Sequence, residues 1–256
     1  MSRLLYLLLI IGCFGIGALL SPLAHPSELP KKIRLAAEDS WPPFADAQGM
    51  GLSHRLVQRA FASESIEVES LVVPYNRGLI LTEQGKVNAV FNVARQQSTE
   101  TRFLFGAEPL FLASASFYQL KEKPPIAADK WSLPPGSRIG IVRGYEYGDE
   151  FDRLPNIELK VADNQYQLLN LLLTHKLDAV VMYDKVAGEF LHTTGVATEV
   201  YPVFSNHTSE LFLAFDKGAA ESAALAQALD RGLKRLKLSG EYQKLLADIG
   251  STSRRD

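Results

Sequence analysis

Beyond residue 32, short apolar runs alternate with stretches whose apolar positions recur at helical spacing, a rhythm that predicts βα units and parallel sheets. A first strand is expected over 33–37, after which Leu52, Leu56, Val57, Ala60 and Phe61 share one helical face. A second strand is expected over 66–73, a short helix over 77–84, a third strand over 88–93, and a strand leaving the unit over 113–118. Lys, Pro and Gly then break the rhythm through 121–137, including Pro124-Pro125 and Pro134-Pro135-Gly136, loop chemistry suited to a crossing between units. The rhythm resumes with a strand over 138–142, a helix from about 146, a strand over 157–161 and a helix over 164–173. A strand over 179–183, a helix through Val186, Phe190 and Leu191, and strands over 199–204 and 211–215 follow. Two amphipathic helices end the chain, one aligning Leu225, Leu229, Leu233 and Leu236, the other Tyr242, Leu245, Leu246 and Ile249. Two α/β units, the second inserted into the first, fit this order better than one continuous sheet.

The N-terminal residues follow a different logic. Arg3 precedes an apolar run from Leu4 to Leu20 that is short for a membrane span, with small residues at Ser21 and Ala24 and a polar stretch after them. Residues 1–24 therefore read as a cleaved secretory signal, and the mature chain as a free periplasmic protein. The sole cysteine, Cys13, lies inside this run. Ile10-Ile11-Gly12-Cys13 has the look of a lipid-attachment motif, but the residues after it stay apolar where a lipoprotein turns polar. Cleavage would leave a mature chain with no disulfide and no thiolate site. A net charge of −2 without a Lys/Arg run argues against a nucleic-acid partner. The five histidines are scattered, and no metal or other cofactor is expected.

Candidate chemistry gathers where strands end. Glu38-Asp39-Ser40-Trp41-Pro42-Pro43-Phe44 follows the first strand, and its prolines stiffen the loop that presents Trp41 and Phe44. The carboxyl end of a strand is where open α/β sheets bind ligands, so Trp41 is either a stacking surface or a cap on the core. Arg95 and Arg102 follow the third strand, where a guanidinium fork can take a carboxylate in two parallel hydrogen bonds. The run Gly140-Ile141-Val142-Arg143-Gly144-Tyr145-Glu146-Tyr147-Gly148 lacks the dinucleotide spacing, though amides at a helix start there could receive an anion. Asp184 either accepts from an ammonium or caps the next helix. Ser53 reads as a helix cap. With no Gly-x-Ser-x-Gly elbow, thiol nucleophile or His-Glu-x-x-His motif, catalysis is not expected.

From Ile33 to Ile249 the chain resembles the bacterial family-3 extracellular solute-binding proteins, which include polar amino-acid receptors of ABC importers. The resemblance rests on Trp41-Pro42-Pro43-Phe44, on Thr99-Glu100-Thr101-Arg102 ahead of Glu108-Pro109-Leu110, and on Leu236-Lys237-Leu238-Ser239-Gly240-Glu241-Tyr242. It implies a two-lobed α/β fold of the type II periplasmic binding-protein kind, each lobe a sheet flanked by helices. On that pattern 28–116 and 209–250 form the first lobe, 119–206 the second, and 251–256 a flexible tail, with crossings near 115–119 and 205–210. By the same resemblance Arg102 would bind an α-carboxylate, Asp184 the α-amine, Trp41 would pack on the ligand, and Glu38 would face its side chain. The turn at Gly144-Tyr145 would assist with the carboxylate.

Departures from the family pattern are informative. The segment before Arg102 is about two residues long for the family, which keeps Arg95 in contention. Tyr145 stands where a small hydroxyl residue is common, and Tyr183 takes the position expected for Asp184. Pro74-Tyr75-Asn76-Arg77 adds Tyr75 and Arg77 near the expected cleft. The expected function is a monomeric periplasmic receptor that captures a small polar, carboxylate-bearing solute for an ABC permease, in a divergent branch of the family. The alternatives are a dehydratase-like enzyme on the same scaffold and a ligand-sensing module for a membrane partner.

Overall fold

A computed structural model describes residues 29–252. The expected signal segment lies outside the described residues, as does the end of the chain from 253. The first lobe opens with β1 (Lys32–Glu38), and two short strands, β2 (Ser40–Trp41) and β3 (Ala45–Asp46), pair across the proline-rich loop. There the Pro42–Pro43 peptide is cis. Then come α1 (Leu52–Ala62), β4 (Glu67–Val73), α2 (Tyr75–Glu83), β5 (Ala89–Ala94), α3 (Gln97–Glu100) and β6 (Phe103–Phe105). β7 (Phe111–Leu120) carries the chain into the second lobe, built from β8 (Arg138–Val142), β9 (Glu158–Ala162), α4 (Gln165–Leu173), β10 (Ala179–Tyr183) and α5 (Asp184–Thr193). β11 (Val200–Asp216) brings it back, and α6 (Ser222–Ser239) and α7 (Glu241–Thr252) close the first lobe.

The strand order is β4-β1-β5-β11-β7-β10-β8-β9, with β6 also on β11. β4, β1 and β5 run parallel in one lobe, and β10, β8 and β9 run parallel in the other. The two long strands join them. β7 and β11 pair antiparallel from Leu120↔Val200 to Phe111↔Leu211, so hydrogen bonding is continuous from one lobe to the other. The strands expected at 199–204 and 211–215 are therefore one strand, irregular in register between Pro202 and Phe204 and between Ser205 and His207. The polar residues Ser205, Asn206, His207 and Thr208 hid this continuity, because they carry no apolar alternation.

Alternation along β1 explains how the first lobe packs. Leu35 and Ala37 face the core that includes α1 and α6, while Ala36 faces the opposite side with Leu79 of α2. α1 and α6 touch at Gly232, where a Cβ would lie 2.3 Å from the Ala60 carbonyl oxygen, so only glycine permits this approach.

Two local expectations fail. No α-helix starts near 146. Gly144 and Gly148 turn the chain at φ 83° and 93°, and a 3₁₀ turn at Phe151–Arg153 follows. Leu154 is then extended at ψ 126°, as the residue before a proline prefers, so Pro155 stops the segment before it can lengthen. Ser53 does not cap α1 either. Gly51 holds that position, and the Ser53 hydroxyl donates to Asn92 Oδ1 at 2.6 Å in the interior. Among the described residues no helix is long and apolar enough to cross a membrane.

Candidate ligand-binding site

A cavity of about 340 Å³ lies where the carboxyl ends of β1 and β4 in one lobe face those of β8 and β9 in the other. This is the crevice that parallel sheets present to ligands. From the first lobe come Glu38 at the end of β1 and Tyr75, Asn76, Arg77 and Ile80 from the start of α2. From the second come Val142 and Arg143, Tyr145 in the turn after β8, and Asp163, Asn164 and Gln165 at the start of α4. Gly144 makes the turn possible at φ 83°, and its backbone passes close to Asn76 across the cleft.

Reciprocal hydrogen bonds hold the lobes together. Tyr145 of the second lobe donates its hydroxyl to Glu38 of the first. Tyr75 of the first lobe donates to both carboxylate oxygens of Glu146 of the second, at 2.8 and 3.1 Å. Tyr183 braces the same turn by donating to the Glu146 carbonyl at 2.7 Å. A further tie runs beside the cavity, where Gly148 N donates to Gln96 Oε1 and Gln96 Nε2 to Asp152, both at 3.0 Å.

Both glutamates are buried, Glu38 to 4% exposure and Glu146 to 7%. Burial pushes the Glu38 carboxyl up to about 8, and the charges of Asp39 and Glu146 add to this while the Tyr145 bond opposes it. Burial likewise pushes Glu146 up to about 8, against the Tyr75 hydrogen bond, backbone hydrogen bonding and the more distant charge of Arg102. Tyr75, Tyr145 and Tyr147 are all raised well above the usual phenol range, first by burial and then by these carboxyls. Gln165 is 2% exposed, and its amide lies beside the Tyr145 hydroxyl without completing a hydrogen bond there. Among the described residues no cluster of His, Cys, Asp and Glu could hold a metal ion.

Of the residues expected from sequence, Glu38, Tyr75, Arg77 and Tyr145 line this cavity. Trp41, Phe44 and Tyr183 lie behind it in the core, Trp41 edge-on to Tyr183 at 5.1 Å and Phe44 stacked on Phe111 at 4.5 Å. Asp184 accepts from the Tyr118 hydroxyl at 3.0 Å and borders a separate depression with Phe44 and Tyr183. Arg95 pairs with Glu100 at 2.6 Å, and Arg102 grips both oxygens of Glu83 at 2.7 and 3.0 Å. Neither arginine lines the cavity. The residues sequence reasoning missed are chiefly Asn76, Asp163, Asn164 and Gln165. Asn164 caps α4 through the Gln167 amide, a readable signal, but nothing in the sequence aims Gln165 inward.

No protein-family model matches the chain. A Shewanella frigidimarina protein named as a sensor is 30% identical over 157 residues, 60% of this chain but only 22% of that relative's length. Among solved structures, an ancestral arginine-binding protein bound to arginine superposes at TM-score 0.74 and 20% identity, covering 86% of this chain and 99% of that one. A histidine kinase sensor domain with similarity to periplasmic binding proteins gives 0.73 at 18% identity, over 85% and 95% of the two chains. An ancestral amino-acid-binding protein, a precursor of cyclohexadienyl dehydratase, gives 0.69 at 18% identity, again over 85% and 95%. The chain thus has the two-lobed, type II periplasmic binding-protein-like fold, two hinge strands included.

Proposed function

We propose that this protein captures a small polar solute between its lobes and presents the closed, loaded form to a membrane partner, acting as a monomer in the periplasm. The observation that carries this reading is the cavity itself. Its walls come from both lobes, and the bonds Tyr145–Glu38 and Tyr75–Glu146 exist only when the lobes meet. A solute held there adds contacts to both halves and so shifts the balance toward closure. The permease of an ABC importer is the first candidate partner, because several solved neighbours are described as amino-acid-binding or ABC-transporter binding proteins. Sensing is the second reading. It is favoured by the sensor relative and by the kinase sensor domain among the structural neighbours.

Arg102 and Arg95, from which a carboxylate-bearing ligand is expected, stand outside the cavity, each paired with a partly exposed glutamate. Catalysis keeps one supporting feature, two buried carboxyls raised to about 8, the kind of group an acid–base enzyme uses. The test is native mass spectrometry of the protein with a pool of amino acids, amines and organic acids. Retention of one solute, recovered unaltered, is expected. Recovery of a converted product would favour the enzyme, and retention of none would refute solute capture. Ligand-dependent pull-down of a permease or of a kinase separates the two binding roles.

A further inference from the structure

We infer that the solute taken by this cleft is an organic cation, an amine or guanidinium seated against Glu38, and not an amino acid held by its carboxylate. The inference deepens the solute-capture reading and rests on it.

Charge placement is the first support. Two carboxyls are buried at the lobe interface, Glu38 lining the cavity and Glu146 behind it against Tyr75, and among the described residues no Lys, Arg or His forms an ion pair with either of them. Their side-chain hydrogen-bond partners are tyrosine hydroxyls, and backbone groups also bond Glu146, so the oxygens are satisfied without positive charge. The basic groups nearby are paired or exposed. Arg102 and Arg95 hold glutamates outside the cavity, while of the two guanidiniums that line it Arg143 holds Asp163 at 2.8 Å and Arg77 is exposed. An exposed guanidinium is a weak anchor for a carboxylate. A buried carboxylate, by contrast, is stable only with a partner charge or a proton.

Gln165 gives independent support. Its side chain lines the cavity at 2% exposure, with neither the amide oxygen nor the nitrogen in a hydrogen bond. Buried polar atoms are nearly always satisfied, so the amide oxygen calls for a donor on the bound solute, as an ammonium or guanidinium N–H supplies, and the amide nitrogen for an acceptor such as the neighbouring Tyr145 hydroxyl. The rings add a third term. Tyr75 and Tyr145 meet edge to face at 5.2 Å against the cavity, a surface that attracts cations through the ring quadrupole.

Proton balance follows from the same groups. Asp39, Glu146 and Tyr145 face Glu38, while Tyr75, Tyr147, Tyr183, Glu38 and the more distant Arg102 face Glu146. Burial raises both carboxyls to about 8, which favours their protonated forms near neutrality. An ammonium placed against Glu38 favours its ionised form, so binding at pH 7 expels a proton into the buffer.

The experiment compares matched pairs that differ only in the carboxylate. Agmatine is titrated against L-arginine, and 1,4-diaminobutane against L-ornithine, with succinate as the acid without an amine. Calorimetry in two buffers of different ionisation enthalpy reads both affinity and protons released. The expected result is that each amine binds at least as tightly as its amino acid, with net proton release at pH 7 and no binding of succinate. Glu38→Gln should weaken the amine by about 30-fold or more. Proton release in the wild-type protein keeps the test decisive if that variant fails to fold. Amino acids binding tenfold or more tighter than their amines, or binding of succinate alone, would overturn the cation inference while solute capture stood. No binding of any probe would overturn both.

Discussion

Tyr75→Phe removes one hydroxyl from the lobe interface and leaves the ring in place. That hydroxyl contacts both carboxylate oxygens of Glu146, at 2.8 and 3.1 Å, with Tyr75 5% and Glu146 7% exposed. Tyr75 begins α2 in the first lobe, and Glu146 lies in the turn after β8 in the second. The bond therefore belongs to the closed form alone, and in an opened form water can serve both groups. Leaving a buried polar group without its partner costs about 1–3 kcal/mol. A difference of that size lowers the ratio of closed to open molecules about 5- to 150-fold. Small-angle scattering on the unliganded protein reads the change as a larger radius of gyration, with helix content by circular dichroism unchanged. Tyr145→Phe, which removes the reciprocal bond to Glu38, should act in the same direction. A variant with the wild-type radius and the wild-type melting temperature would refute the idea that these bonds hold the lobes together.

Rising pH should loosen the protein. Glu38 and Glu146 sit at about 8 in the folded form against 4.5 ordinarily, so their contribution is complete below about 4.5 and lost as pH rises through about 8. Thermal melts at pH 6 and pH 9 should show the lower midpoint at pH 9, and a higher midpoint there would reverse the assignment. Gly232→Ala should destabilise by about 1–3 kcal/mol despite alanine's helix preference, because its Cβ would lie 2.3 Å from the Ala60 carbonyl oxygen. Urea unfolding tests this, and a more stable variant would show that α1 and α6 can part without cost. Trp41→Ala should cost about 3–5 kcal/mol, since the ring is 2% exposed and packs on Phe44, Phe111 and Tyr183. A cost below about 1 kcal/mol by the same assay would place the ring outside the core's tight packing. Arg102→Ala should cost only about 0–1 kcal/mol of stability and leave solute affinity unchanged, because its pair with Glu83 is partly exposed. A tenfold loss of affinity by calorimetry would return Arg102 to the site.

The two α/β units were legible because their strands and helices are long enough to show period. The Leu225, Leu229, Leu233 and Leu236 stripe and the Leu52, Leu56, Val57, Ala60 and Phe61 face are all within the core or packed at its edge. What escaped was set by tertiary context. α3 and β6 span only four and three residues, too few to carry a period. β11 is continuous through a polar stretch because β7 pairs with it, a fact about its neighbour and not its own sequence. Site residues divide along the same line. Glu38 and Tyr75 stand at the cavity, as their places at a strand end and beside a proline suggest, but whether Arg95 or Arg102 reaches it depends on whether a glutamate stands nearby. Glu83 is 19 residues from Arg102 in sequence, and only folding brings the pair together. Gln165 looks like any helix-start residue until β8 and α4 set it against the cavity.

Whether the cavity between the lobes holds a solute is decided by comparing the protein with its cavity open and with it filled. The wild-type protein and Asn76→Trp, in which an indole fills the cavity from the start of α2, are melted side by side against amines, amino acids and organic acids. A solute at about one hundred times its dissociation constant stabilises the wild type by about 2.7 kcal/mol, roughly a 5–10 °C rise in melting temperature. That rise is expected for at least one solute in the wild type, and none for the same solute in Asn76→Trp. No rise with any solute, or an equal rise in both proteins, would contradict solute capture in the cavity.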